Sequence, residues 1–194
     1  MDKTHFSDLE ICDPRDVVLR TGCDYNPARR QYTVKIWGHQ YCVDLEQCRV
    51  ICDGHDVKTY QGFLYLFIVF YLMNARKLKP SGQWVSEKDI MGGAAFFRGP
   101  HILPVDVIAD RIKNDISAFK RMCQNLGGKP IEFADAAFSF DITPLIPVAV
   151  LYWQGDQDFP CEVKLLFDQT IEAHLPLDII FALAVEVCHA FVRA

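Results

Sequence analysis

Three groups of side chains in this sequence have types and spacing that could support chemistry. The first is a set of thiols, Cys42, Cys48 and Cys52, with His39 and His55 near them in sequence. Thiolates and imidazoles bind zinc and iron, but these spacings match neither the usual zinc pattern nor the bacterial ferredoxin run. If Cys48 and Cys52 lie on one strand, their even spacing puts them on one face. Two interpretations stay open: a metal site, or small buried side chains and exposed free thiols.

The second group surrounds a glycine pair. Gly92 and Gly93 follow Trp84 and precede Arg98 and His101. Glycine lets backbone N–H groups approach a ligand closely, and the arginine fork suits an anion. The pair lacks the Gly-x-Gly-x-x-Gly spacing of a dinucleotide site. We therefore predict either a small-ligand-binding loop with Trp84 as an apolar wall, or a structural turn.

The third group is His174 with Asp168, six residues earlier. A histidine oriented by a carboxylate can act as a general base, but no residue nearby in sequence identifies itself as a nucleophile. Asp168 also fits the N-cap of a short helix. The chain contains no Gly-x-Ser-x-Gly, His-Glu-x-x-His or Walker sequence. Catalysis through His174 or the cysteines is therefore an alternative hypothesis.

The elements that must position these groups are arranged around one apolar run, Phe63–Met73. This run is shorter than the roughly 17–25 residues of a membrane-spanning helix. We predict a buried core helix over about 58–77, with Asp56 as its N-cap. Because a helix that is apolar all round needs partners on most sides, a charge at Phe67 or Leu66 should be among the most damaging changes.

The rest of the chain alternates between two periodicities. Apolar residues recur at every second position in two hairpin regions, and at every third or fourth position in several flanking segments. The predicted strands cover 31–36, 41–45, 49–52, 138–142, 148–153 and 162–167, and the predicted helices cover 14–21, 105–112, 115–126 and 176–191. This order predicts a single α+β domain over residues 1–194, with a largely antiparallel sheet from the two hairpin regions, covered by helices around the central apolar helix.

Composition limits the partners. The 194 residues are 51% hydrophobic and 23% charged, which is the balance of a globular protein, and the net charge is −5. Scattered Lys and Arg in an acidic chain argue against nucleic acid or an anionic membrane surface as the main partner. The polar N-terminus has no signal-peptide pattern, so we expect a cytoplasmic protein whose eight cysteines are free thiols rather than disulfides.

A set of ordered motifs, most of them in the second half, resembles an uncharacterised bacterial and archaeal family, domain-of-unknown-function family 3786. The likeness extends from about Asp13 to Phe191 and includes the early hairpin and the long apolar helix. The motifs that carry it are Gly82-x-Trp84-Val85, Gly92-Gly93, Asp135-Ala136-Ala137-Phe138, Trp153-x-Gly155-Asp156-x-x-Phe159-Pro160, Leu166-Phe167-Asp168 and Leu175-Pro176.

The resemblance implies little about function. Members of that family are sometimes joined to an iron–sulfur domain of the kind found in corrinoid and carbon monoxide metabolism of anaerobes. This sequence contains no such four-cysteine segment, so the implied link would run through an iron–sulfur or corrinoid protein partner. The resemblance assigns no catalytic residue and no cofactor. Our leading hypothesis is an accessory or small-ligand-binding domain; the alternatives are an enzyme or metal-binding redox accessory, and a structural interaction subunit.

Overall fold

The computed structural model describes residues 4–57 and 62–194. Within these residues the chain forms eight α-helices and two antiparallel sheets of five strands each, so the predicted α+β class is confirmed. The two predicted hairpin regions lie in separate sheets rather than in one. None of the helices in the described ranges is long and apolar enough to span a membrane.

The first sheet contains the strands of the N-terminal half in sequence order. The elements there are α1 (Thr4–Ile11), α2 (Pro14–Thr21), β1 (Asp24–Asn26), β2 (Gln31–Ile36), β3 (His39–Asp44), β4 (Arg49–Cys52), β5 (His55–Asp56) and α3 (Gly62–Asn74). Helix α2 has the predicted end signals, with Pro14 in its first turn and Gly22 in the left-handed region after its end.

The second sheet has the order β6-β10-β9-β8-β7. Its half of the chain consists of β6 (Trp84–Val85), α4 (Gly93–Phe96), a 3-10 turn (Gly99–His101), α5 (Asp106–Ile112), α6 (Ile116–Asn125), β7 (Lys129–Ile131), β8 (Ala136–Thr143), β9 (Ile146–Trp153), β10 (Glu162–Asp168), α7 (Ile171–His174) and α8 (Leu177–Arg193). Helix α8 contributes ten buried residues to the core and packs against α3.

Helix α3 is the predicted core helix, with different bounds. Its predicted start lies in 58–61, outside the described residues, and it ends at Asn74 rather than near residue 77. The last carbonyl groups of a helix lack partners within the helix. Here the Arg20 guanidinium of α2 donates to the carbonyl oxygens of Leu72 and Met73, at 3.2 and 3.3 Å. The cation at this helix end therefore comes from a neighbouring helix rather than from the basic residues that follow in sequence.

Two residues of α3 that look equivalent in the apolar sequence run, Leu66 and Phe67, differ in how deeply they are buried. Phe67 is fully buried, whereas Leu66 is only partly buried against the core. The prediction that a charge at Phe67 or Leu66 is among the most damaging changes therefore stays strong for Phe67 and becomes weaker for Leu66.

The tip of the β2–β3 hairpin connects the two sheets. Trp37 and Gly38 both have positive φ, 47° and 83°, as the tight turns of hairpins require. Strand β3 begins at His39, two residues before the predicted start at residue 41, because His39 already pairs with Ile36. The Trp37 backbone N–H donates to the Ile142 carbonyl at 2.7 Å, and its indole Nε1 donates to the Leu126 carbonyl at 2.9 Å. These bonds fix the hairpin tip beside α8.

Candidate functional site

Two adjoining cavities lie beside the first sheet and share His39 and Tyr41 in their walls. The first, of about 440 Å³, lies between the β2–β3 hairpin tip and α8. Its walls are formed by Ile36, Trp37, His39, Tyr41, Leu64, Asn125, Leu126, Gly127, Ile142, Leu183, Glu186, Val187, Ala190, Arg193 and Ala194. We call it the α8 cavity. The second, of about 480 Å³, reaches the β4–β5 hairpin and includes Cys52 and His55.

One stripe of α8 supplies a wall of the α8 cavity. Leu183, Glu186, Val187 and Ala190 are spaced by three and four residues, so they lie on one side of the helix. Apart from Glu186 these side chains are apolar, and Trp37 and Leu64 continue the apolar lining from other elements. A single carboxylate is therefore set into a largely hydrophobic wall.

That carboxylate has few partners. Glu186 is 5% exposed. Its Oε2 accepts one long hydrogen bond of 3.4 Å from Arg193 Nη2. Nδ1 of His189 lies 3.9 Å from Oε1, beyond hydrogen-bonding distance. Since an ionised carboxylate can accept about four hydrogen bonds, most of the accepting capacity of Glu186 is unused by the described residues.

The second cavity contains a phenol and a thiol, Tyr41 and Cys52, beside two aspartates, Asp53 and Asp56. Burial raises the pKa of Tyr41, and the neighbouring Cys52 raises it further. Burial also raises the pKa of the Cys52 thiol, with a further contribution from the charge of Asp53. Cys52 is therefore a protonated thiol at neutral pH, which makes it a poor nucleophile and a poor metal ligand.

The three cysteines considered as a metal site, Cys42, Cys48 and Cys52, do not converge on one point. Cys42 lies between Tyr41 and Val43 on β3, so its side chain faces away from theirs, whereas Cys52 lies beside Tyr41. Cys48 occupies the turn between β3 and β4, with φ of 49°. No three His, Cys, Asp or Glu side chains within 4–57 and 62–194 are placed to hold a metal ion. The metal interpretation of this trio therefore has no geometric support, because its members face different sides of the sheet.

Of the histidines near those thiols, His39 and His55 both line the second cavity with Cys52. The remaining cysteines are also unpaired: all eight are free thiols.

The residues predicted to form a ligand-binding loop, Trp84, Arg98 and His101, lie in different places. Trp84 pairs with Asp168 at the edge of the second sheet and packs on the outer face of that sheet. His101 stacks on Phe96 with ring centroids 4.3 Å apart. Arg98 is exposed and lines a separate groove of about 1130 Å³. Trp84, Arg98 and His101 therefore do not converge on one concave site, and the ligand-loop interpretation is not supported.

The glycine pair has a structural explanation instead. Gly92 has a φ of 78°, a conformation that favours glycine, at the start of α4. A Cβ added at Gly93 would overlap the backbone carbonyl oxygen of Glu87. Both glycines are therefore required by the turn.

We predict that Gly93→Ala lowers the free energy of unfolding by about 1–3 kcal/mol, because the chain around Glu87 must move to admit the methyl group. Gly62→Ala is the matched control, since a Cβ there meets nothing within 4 Å and φ is not positive. Urea denaturation of both variants measures the difference. Equal stability of the two variants would contradict this account of Gly93.

The groove that contains Arg98 is larger than the α8 cavity but is built differently. Its charged residues carry both signs, and none of them is buried. They are Glu87, Lys88, Arg98, Asp106, Glu162 and Lys164. An open surface with balanced, solvated charges selects no particular ligand, so the α8 cavity is the stronger candidate site.

Asp168 and His174 have structural roles. Asp168 is not the N-cap of α7, because Thr170 occupies that position. Its buried carboxylate instead accepts five hydrogen bonds from Ser81, Gly82 and Thr170. His174 is buried, and its Nδ1 accepts the backbone N–H of Arg76 at 3.1 Å. Both side chains thus connect the turn after α3 to the end of the second sheet.

Sequence reasoning missed Glu186. Its signal is present: Glu186 lies three residues after Leu183 and seven after Ile179, beside the apolar face of the last helix, and it is the only charged residue between Asp178 and His189. An isolated carboxylate at such a position is either buried together with the apolar face or lies on a side of the helix that stays in contact with water. Distinguishing the two outcomes requires knowing what packs on that face.

Comparison with known proteins gives one match. The sequence profile of a family described as a domain of unknown function (DUF3786) matches residues 13–190. No curated protein matches this chain. No solved structure matches it either.

Proposed function

We propose that this chain, which belongs to the DUF3786 family, is a small-ligand-binding domain whose site is the α8 cavity. The observation that carries the proposal is the Glu186 carboxylate, 5% exposed, in the apolar wall of a cavity of about 440 Å³. Small-molecule sites have volumes of about 300–1,000 Å³ and combine apolar walls with a few placed polar groups.

The energetics of burial support a binding role. A carboxylate removed from water is costly unless it is paired and hydrogen-bonded. Glu186 has one long hydrogen bond, from an arginine that is half exposed. An apolar residue at this position would fill the cavity wall without that cost. A carboxylate retained there is typical of a site that receives a hydrogen-bond donor.

The surroundings also support a preformed site. The hairpin tip that forms the opposite wall is held by the two hydrogen bonds of Trp37, and the Trp37 ring packs on Phe140 with centroids 5.3 Å apart. Walls that are fixed before a ligand arrives reduce the entropic cost of binding.

The alternative functions lack a comparable observation. An enzyme that uses Cys42 or Cys52 would need a thiolate, and burial raises the pKa of both thiols. Burial lowers the pKa of His174, and its Nδ1 is already engaged with Arg76. The iron–sulfur or corrinoid partner implied by the resemblance is a separate proposal, and the α8 cavity does not depend on it.

We predict that fragment-sized compounds bind in the α8 cavity and that Ala190→Phe, which fills it, removes their binding. Ala109→Phe is the matched control, because it places the same ring in the groove that contains Arg98. Ligand-observed NMR with a general fragment collection provides the measurement. Failure to find any bound fragment, or loss of binding in Ala109→Phe but not in Ala190→Phe, would refute the proposed site.

A further inference from the structure

We infer that the ligand of the α8 cavity is a protonated amine attached to an apolar body, with its ammonium group on Glu186 Oε1. This inference rests on the proposed function and specifies the chemical class of its ligand. Three observations carry it: the accepting capacity of Glu186 that the described residues leave unused, the position of Arg193, and the apolar side chains that line much of the remaining wall.

The two oxygens of Glu186 are in different situations. Oε2 accepts a hydrogen bond from Arg193 Nη2, at 3.4 Å, whereas Nδ1 of His189 lies 3.9 Å from Oε1, and no hydrogen bond to Oε1 is formed by a side chain within 4–57 and 62–194. The Glu186 side chain is 6% exposed, whereas His189 and Arg193 are 48% and 47% exposed, and Arg193 also lines the cavity beside Oε2. A donor in the cavity can therefore bond to Oε1 without displacing Arg193. Hydrogen bonds between ionised groups are shorter and stronger than neutral ones, which favours an ammonium over a hydroxyl.

The sign of the charge follows from burial. A carboxylate ligand would bring a second negative charge close to Glu186 in a partly water-excluded cavity, where repulsion is stronger than in water. Arg193 could attract such a ligand, but its guanidinium is 47% exposed and already bonded to Glu186. Solvent screening weakens the attraction of an exposed cation for an anion. The buried negative charge therefore dominates the selection.

The apolar body follows from the apolar part of the lining. Trp37, Leu64, Ile142, Leu183 and Val187 contribute apolar side chains to the cavity walls. A small polar amine such as ammonium itself would leave these surfaces wet, whereas a hydrocarbon or aromatic group buries them and gains about 25 cal/mol per Å² of apolar surface.

Three probes test which polar group the cavity prefers: 2-phenylethylamine, 2-phenylethanol and 3-phenylpropanoate. Each has one phenyl ring, and they differ in carrying an amine, an alcohol or a carboxylate. Isothermal titration calorimetry at neutral pH measures their binding to the whole chain. We expect the amine to bind about 10-fold to 100-fold more tightly than the alcohol, and the acid to bind most weakly. Glu186→Gln, which is nearly isosteric, should remove the preference for the amine, so that the amine and the alcohol bind with similar affinity.

Arg193→Gln is the matched control, because it removes the cation and keeps the carboxylate. We expect it to preserve the affinity for the amine or to increase it severalfold. Circular dichroism verifies that each variant is folded. Equal affinity for the amine and the alcohol overturns the amine assignment but leaves the cavity as a binding site. If the acid binds most tightly and Arg193→Gln removes that binding, the amine assignment is also overturned, because Arg193 then selects the ligand. Binding of none of the three probes refutes this inference, and if the fragment collection also yields no ligand, the proposed function fails with it.

Discussion

Replacement of Asp168 by alanine is expected to lower the free energy of unfolding by about 3–5 kcal/mol, because it removes a buried charged acceptor that takes part in five hydrogen bonds. The carboxylate is 2% exposed. It accepts from the backbone N–H groups of Ser81, Gly82 and Thr170 at 3.0, 2.7 and 2.9 Å, and from the hydroxyl groups of Ser81 and Thr170 at 3.1 and 2.7 Å. Without it, the five donors lose this acceptor, and the turn at Ser81 and Gly82 loses its bonds to the end of the second sheet.

Urea denaturation of Asp168→Ala measures this effect, and Asp158→Ala is the matched control. Asp158 is an exposed aspartate at the turn between β9 and β10. We expect the control to change stability by less than about 0.5 kcal/mol, as surface substitutions usually do. A loss below about 1 kcal/mol in Asp168→Ala would show that the turn at Ser81 and Gly82 is held by other contacts.

The pH dependence of stability provides a second readout of Asp168. Burial alone would raise the pKa of this carboxyl, but the hydrogen bonds from Thr170, Ser81 and Gly82 outweigh burial and hold the pKa below its ordinary value of 3.8. The stability that it contributes is therefore fully present above the unfolded-state pKa and is lost as the pH falls through the lower folded-state pKa. Asp168→Asn should be less stable at neutral pH and should lose less stability than wild type in that acidic range.

Local signals in the sequence were sufficient for several elements. Helix α2 begins at Pro14 and ends at Thr21, as predicted, because Asp13 accepts the Arg15 N–H at 2.9 Å and Gly22 takes the left-handed conformation. Each of these signals acts within four residues. Such signals do not depend on the rest of the fold, which is why the bounds of this helix could be read directly.

The pairing of the strands and the site depend on contacts between distant residues. The bond from Trp37 to Ile142 joins residues more than a hundred positions apart, and no periodicity indicates it. The separation into two sheets follows from such contacts. Glu186 illustrates the same limit: its place in an apolar helix is visible in the sequence, but the cavity beside it is formed by β2, α3 and the segment after α6.

The thiols show how a spacing argument fails. Even spacing places two residues on one face only if both lie on the same strand. Cys48 precedes β4 in a left-handed turn and its thiol contacts the Leu45 carbonyl at 3.5 Å, whereas Cys52 is the last residue of β4. Cys48 lies in the turn and Cys52 lies on the strand that follows it, so the even spacing does not place the two thiols on one face.

Phe67→Asp is expected to leave no folded protein at 25 °C. The ring of Phe67 is fully buried, with 0% of its surface exposed to water. It stacks on the ring of Tyr71, with centroids 6.0 Å apart. Removing a buried phenylalanine side chain costs about 3–5 kcal/mol, and an unpaired carboxylate in the same place adds several kcal/mol more. The sum is comparable with the whole stability of a typical domain, about 5–15 kcal/mol.

The matched control for Phe67→Asp is Phe63→Asp, one helical turn earlier on α3, where the ring is 39% exposed. A carboxylate at residue 63 can reach water, so we expect a folded variant with a moderately lower melting temperature. Soluble yield and thermal unfolding followed by circular dichroism distinguish the two variants. A cooperative transition of Phe67→Asp within a few degrees of wild type would mean that α3 can rotate or move to expose residue 67. The packing of α3 against α1, α2 and α8 argues against such a movement, because each of these helices contacts it from a different segment of the chain.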